Sequence, residues 1–200
     1  TATNTAGGIR INSGSLIVGA VQSRQEILVF TDRSVHSMRF VGGAFVFELS
    51  LISTDVSMIS PNAAIDVGGQ VYFMDEGGFY VYNGSVQTLP CSVKNHVFSN
   101  LNKSQSYKVF AAENSAYSEV TWFYPVGTGN TEITNYVTYD YAENLWSIGT
   151  LERGAWNDYG TGTAPLAASV ITSSNANYLY EHETGHDDDG SAMTAFIESG

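Results

Sequence analysis

Cationic residues are almost missing from the second half of this chain. Between residues 109 and 200, Arg153 is the only Lys or Arg, against 13 Asp and Glu, whereas residues 1–108 carry 7 of each sign. The whole formal charge of −12 therefore belongs to the second half. Such a surface repels phosphate, which argues against sequence-specific nucleic-acid binding and against anionic membranes. Cysteine is nearly absent too: Cys91 stands alone, so no intrachain disulfide is possible. That suits a reducing compartment, or an oxidising one in which disulfides are not used. Charged residues are 14%, well below the ~25% of average soluble domains. No run of 18 apolar residues exists to make a transmembrane helix, and the opening TATNTAGG has neither the basic nor the apolar segment of a secretory leader. Proline occurs 4 times.

What remains is rich in strand and turn formers. Over 200 residues, 43% are hydrophobic, 12% aromatic, and 20 are Gly. This composition excludes a helical bundle, a coiled coil and a collagen-like chain, and the length suits one β domain over residues 1–200. Residue 1 is Thr rather than Met, and Met193–Gly200 reads as a strand just starting, so the chain is expected to be a piece of a longer one.

Four stretches share a pattern of short alternating strand, polar turn and further strand. The first runs Ile27–Asp32, turns at Arg33-Ser34 and continues over Val35–Phe40. The second runs Val71–Asp75, turns over Glu76-Gly77-Gly78 and continues over Phe79–Gly84. The third runs Val120–Pro125, loops over Gly127–Thr131 and resumes at Tyr136–Asp140 and Leu145–Gly149. The fourth is Tyr178–His182 before Thr184-Gly185. Their starts at 27, 71, 120 and 178 lie 44, 49 and 58 residues apart. A loose period of ~40–50 residues predicts an all-β chain of β-propeller-like antiparallel repeats, because one small sheet cannot bury both faces and stacking such sheets buries them against each other. A β-sandwich of similar strand count shares the same alternation. Ser60–Ala64 reads as a turn leading into a strand. Ser92–Asn102 predicts one short helix: Val93, Val97 and Leu101 share a face, and Ser92 is placed to cap the start.

Few motifs promise chemistry. His182-Glu183-Thr184-Gly185-His186 matches H-E-x-x-H, the zinc-hydrolase pattern, which needs a helix to set both imidazoles on one face. Strand-like residues before it, Gly185 within it and the turn Asp187-Asp188-Asp189-Gly190 after it favour a polar hairpin loop instead. The Asp run lacks the alternating spacing of a calcium loop and reads as a solvated acidic turn. Cys91 and His96 have no evident third partner, so Cys91 reads as a small core hydrophobe. No nucleophile elbow, P-loop or dinucleotide fingerprint occurs. No catalytic, cofactor-binding or metal residues are assigned.

Five segments, taken in order, resemble a known family: VYFMDEGGFYVYNGSVQTLP from Val71, SVKNHVFSNLN from Ser92, EVTWFYP from Glu119, YVTYDYAENLWSIGTLERGAWND from Tyr136, and LYEHETGHDDDGSAMTAFIESG from Leu179. Together they look like the tail nozzle (tubular tail protein B type) or structural stabilisation proteins of short-tailed bacteriophages, over roughly residues 20–200. The resemblance implies a noncatalytic virion part, made in the host cytoplasm, with a propeller-like region in a longer chain. It implies a hexameric ring below an adaptor, no cofactor, and DNA passing through the lumen without specific binding. On that reading Glu143, Glu183, Asp187, Asp188 and Asp189 are the candidate acidic, lumen-facing loop residues, since an acidic wall lowers sticking of DNA. The competing readings are a receptor- or carbohydrate-binding β domain using Tyr80, Tyr82, Trp122 or Trp156, and a zinc hydrolase built on His182 and His186.

Overall fold

The computed structural model describes residues 8–42, 46–159, 162, 164–170, 178–188 and 190–192. The chain is all-β, with one short α-helix among the described residues. Its strands form a succession of open antiparallel meanders. The first sheet comprises β1 (Ile17–Gln22), β2 (Ile27–Thr31), β3 (Ser34–Phe40) and β4 (Phe47–Thr54). The second comprises β5 (Ala64–Val67), β6 (Gln70–Met74), β7 (Phe79–Tyr82) and β8 (Val86–Leu89). The third comprises β9 (Phe110–Asn114), β10 (Glu119–Tyr124), β11 (Asn135–Asp140) and β12 (Leu145–Thr150). A fourth is built from β13 (Arg153–Asn157), β14 (Leu166–Ser169) and β15 (Leu179–Glu181). A two-stranded ribbon, β16 (Asp187–Asp188) with β17 (Ser191–Ala192), follows.

In each of these sheets every strand pairs with its neighbour in sequence. The hairpin turns show why. The β6–β7 turn closes through Asp75 N–H donating to Gly78 O at 2.9 Å. At the β7–β8 turn Gly84 takes φ 104°, a conformation that a Cβ would oppose. The β11–β12 turn is held by Asp140 Oδ1, which accepts from Ala142 N and Glu143 N at 2.8 and 2.9 Å.

The sheets begin at Ile17, Ala64, Phe110 and Arg153, which are 47, 46 and 43 residues apart. This is more regular than the spacing of the segments read from the sequence. Those at 27, 71 and 120 are second strands of their sheets, while the segment at 178 is a third strand. The second strand of the fourth sheet is β14, whose LAAS carries no aromatic alternation.

Successive sheets stack face to face, and one core runs through the first three. Phe30 of the first meets Phe73 of the second edge-on at 5.0 Å. Phe79 of the second meets Trp122 and Trp146 of the third at 4.9 and 4.8 Å. Phe123 of the third meets Trp156 of the fourth at 5.9 Å. Indole N–H groups tie the layers: Trp122 donates to Ala63 O at 3.1 Å, Trp146 to Pro90 O at 2.8 Å and Trp156 to Glu113 O at 2.9 Å. Buried Trp N–H needs such an acceptor. The first strands also stand in series, β1 beside β5, β5 beside β9 and β9 beside β13, and Ala111 N–H donates to Asn62 O at 2.8 Å where the second and third sheets meet.

The expected helix is α1, Lys94–Asn100. Val97 is fully buried, Leu101 is buried just beyond the end, and Val93 packs on the core. The cap differs from expectation. Val93 occupies the cap position and no side chain bonds there, so Ser92 lies one residue too early to serve. The helix fills the connection between the second and third sheets, where Phe98 covers Phe79 at 5.4 Å. The strand expected at Met193–Gly200 lies outside the described residues.

Candidate functional site

The aromatic residues considered for sugar stacking do not form an exposed face. Trp122 is fully buried and Tyr82 nearly so, with its hydroxyl donating to Glu26 Oε1 at 2.5 Å. Tyr80 stacks on Phe73 at 5.4 Å, and Trp156 is held between the third and fourth sheets. Alternation alone could not distinguish them, because consecutive sheets cover both faces of the middle ones.

The H-E-x-x-H segment is not helical. Glu183 and Gly185 adopt φ of 61° and 75°, so the two imidazoles are not set one turn apart on a helix face. His182 follows β15 directly, sits 4.8 Å from the Trp156 ring, and its Nε2 accepts from Arg153 Nε at 3.0 Å. His186 is exposed. Cys91 packs against the core and burial pushes its thiol upward, away from the nucleophilic thiolate. His96 is exposed on α1.

The candidate lumen residues are dispersed. Glu143 is exposed on the β11–β12 turn, at the side of the third sheet away from β9. Glu183 leaves the fourth sheet and returns to the third, where its Oε1 accepts from Asn114 Nδ2 at 3.3 Å. Asp187 and Asp188 lie in the β16–β17 ribbon, Asp187 exposed and its Oδ1 accepting from Gly190 N at 3.0 Å. Asp189 lies outside the described residues.

Two concavities are built instead by the stacking of the sheets. A groove of about 720 Å3 crosses the first strands of all four sheets, touching Val21 of β1, Ala64 of β5, Phe110 of β9 and Trp156 of β13. The ion pair of Lys108 with Glu132, 2.7 Å, stands on its wall. A smaller cavity of about 260 Å3 lies between the third and fourth sheets. Its polar lining includes Asn114, Glu119, Thr121, Thr138, His182 and Glu183, and Phe123, Tyr136, Leu151 and Trp156 give it apolar walls. Thr121 and Thr138 sit opposite each other in the β10–β11 register and share a 2.7 Å hydrogen bond. Glu119 has its carboxyl pushed above the ordinary range, first by burial and then by the negative charges of Glu183 and Asp140. Burial and Glu119 together push the Tyr136 phenol up as well.

A third feature lies where the first strands end. Glu113 of β9 is raised by burial and by two neighbouring carboxylates, Asp158 and Asp66. Asp158 Oδ1 accepts from Ser115 N at 2.9 Å and Asp66 Oδ1 from Gly69 N at 3.2 Å, while the second oxygen of each is buried without a partner among the described residues. Among the described residues no three His, Cys, Asp or Glu side chains gather closely enough to hold a metal ion.

None of these three carboxylates, nor Glu119, carries a local sequence signal. Each becomes notable only because residues from different sheets are brought together. No protein-family model matches the chain, and no curated protein matches it significantly.

Proposed function

We propose that the four sheets are successive blades of a β-propeller and that the chain is a noncatalytic structural part of a short-tailed phage tail nozzle. The observation that supports the propeller is the succession of meanders at 43–47-residue spacing with first strands side by side. Propeller blades have this arrangement, each four-stranded sheet placing its first strand next to the axis. The nozzle reading rests on the five ordered segments from Val71 to Gly200 that resemble that family. In such a role the work is mechanical. Sheet-on-sheet packing through Phe30, Phe73, Phe79 and Trp122 makes a stiff wall, and the net charge of −12 keeps a polyanion from adhering to it.

A sixfold ring requires one heterologous interface repeated until it closes. The exposed apolar residues at the outer end of the β3–β4 hairpin, Phe40 at 70% and Phe47 at 47%, paired edge-on at 5.9 Å, supply surface for such contacts. The test is electron cryo-microscopy of the virion with this chain labelled. The reading expects a sixfold ring below the head. Label at a fibre tip or peripheral spike would replace it with receptor binding. A second arm replaces Glu143, Glu183, Asp187, Asp188 and Asp189 with Lys in the full-length protein. Normal assembly with slowed genome ejection is expected if these loops face the lumen, and unchanged ejection removes them from it.

A further inference from the structure

Among the described residues, the first and fourth sheets each have one face with no sheet against it. In the first, Leu28 and Phe30 point toward the second sheet, so the alternate rows point away. One of these rows joins Val29, His36 and Leu51, and the next joins Ile27, Met38 and Leu49. None of their five apolar side chains joins either core, and Leu51 is 52% exposed. The segment before β1 touches this face at His36, through a 2.7 Å hydrogen bond with Ser13 Oγ. The corresponding faces of the second and third sheets, turned toward the preceding sheet, carry Val71 with Phe73 and Val120 with Trp122 on their second strands, all fully buried. At the same strand position the first sheet offers Ile27 and Val29, the side chains of a face made to be covered. In the fourth sheet Trp156 points toward Phe123 of the third. The rows pointing away join Ala155, Ala168 and Leu179, and Asn157, Leu166 and Glu181. Leu179 there is 71% exposed.

We propose that the open face of the first sheet receives the open face of the fourth sheet of a second copy of this chain, and that two copies close one ring of eight sheets. The stacking already present inside the chain selects this occupant. Each step from one sheet to the next sets the back of one against the front of its successor, and the new contact continues that series. Bulky Ile27, Val29, Met38 and Leu51 meet a face kept shallow by Ala155 and Ala168, the pairing of large with small that fills a layer. The chain does not supply the contact to itself, because the first strands stand in series from β1 to β13 and β13 is not set beside β1 as β5 is. The two faces differ, so the interface is heterologous, and a twofold axis along the groove closes it after two copies. Eight sheets is within the range that propellers reach. The inference rests on the blade reading of the sheets and not on the nozzle reading.

The experiment is sedimentation velocity on the chain of residues 1–200, at about 0.15 M salt to screen its acidic charge. A species of twice the 21.6 kDa chain mass is expected. Leu51→Lys and Leu179→Glu should each weaken the pair about tenfold or more, since each puts a charge into an apolar interface. Both positions are exposed in the single copy, so each variant still folds. Mixed together, the two variants have one untouched interface and one with opposite charges across it, and should pair more tightly than either does alone. A monomer at millimolar concentration, a closed oligomer of another size, or a dimer that Leu179→Glu leaves intact would each overturn the proposal. Hydrogen exchange of the Trp122 indole N–H, which joins the second and third sheets through Ala63 O, separates that failure from failure of the blade reading. Slow exchange in a monomer leaves the stacked sheets standing and removes only the closure. Fast exchange removes the stacking, and the closure with it.

Discussion

Replacing Trp122 tests whether the second and third sheets form one cooperative body. Its indole is fully buried, lies 4.9 Å from Phe79 and 6.1 Å from Trp146, and donates to Ala63 O. Truncation to Ala removes the ring from a packed layer and should cost about 3–5 kcal/mol. Trp122→Phe keeps an aromatic ring in place. Ala63 O also accepts from Met74 N at 3.0 Å, so the change does not orphan that carbonyl. The lost hydrogen bond is then worth about 1 kcal/mol, and the missing volume, roughly 40 Å3 at ~24 cal/mol per Å3, about 1 more. For a chain of this length each kcal/mol moves Tm by about 2–4 °C. The expected drops are therefore about 6–20 °C for Trp122→Ala and about 4–8 °C for Trp122→Phe, followed by circular dichroism during heating. Tyr107→Ala, at a 60% exposed position, serves as control and should stay within ~0.5 kcal/mol. The reasoning fails if Trp122→Ala lies within ~1 kcal/mol of the parent, or if Phe is as damaging as Ala.

Glu113→Gln should stabilise the chain at neutral pH. The folded state raises this carboxyl through burial, Asp158 and Asp66, so the charged form opposes folding once the pH exceeds its folded pKa; the gain from Gln should shrink as pH falls toward the ordinary Glu value of about 4.3, and denaturant midpoints between pH 4 and 8 measure it. Asp32 behaves oppositely. Bonds from Ser15 Oγ, Ser15 N and Leu16 N hold its carboxyl down to about 2, so its contribution is complete above the ordinary Asp value of about 3.9 and is lost as pH falls through 2; a carboxyl NMR titration with a midpoint near 4 would contradict this. Gly14→Ala should destabilise by about 1–3 kcal/mol, because a Cβ would sit 2.6 Å from Thr31 Oγ1 and 2.7 Å from Asp32 Oδ1, against the Thr31–Ser34 hydroxyl pair; an unchanged urea midpoint would refute it. Elemental analysis after dialysis against a weak chelator should find far less than one zinc per chain, and a tight zinc lost in the His182→Ala, His186→Ala double variant would restore the hydrolase reading.

Local sequence determined the inner hairpins. Leu28 and Phe30 alternate into the core, Val71–Met74 form a continuously apolar run buried on both faces, and the turns at Arg33, Gly77 and Gly84 stand between strands of opposite direction. The helix was equally legible, because Val93, Val97 and Leu101 recur at a helical interval whatever they pack against. Edge strands were less so. β1, with no buried residue, and β4, which is half-buried or exposed throughout, carry no clean alternation, since neither face of an edge strand is fully covered. The fourth sheet was entered at its third strand because Tyr178 and Tyr180 are aromatic while β14 is small-residue and unmarked. The acidic residues show the limit most clearly. The sequence displayed Asp187, Asp188 and Asp189 as a conspicuous run, whereas Glu119 and Asn114 looked like ordinary strand polar residues. Only the stacking of β9 and β10 against the fourth sheet set Asn114 beside Glu183, 69 residues away, and partly withdrew Glu119 from water. Alternation and turn chemistry are local and survive in one dimension. Desolvation and charge proximity depend on which sheets face each other, and tertiary packing alone decides that.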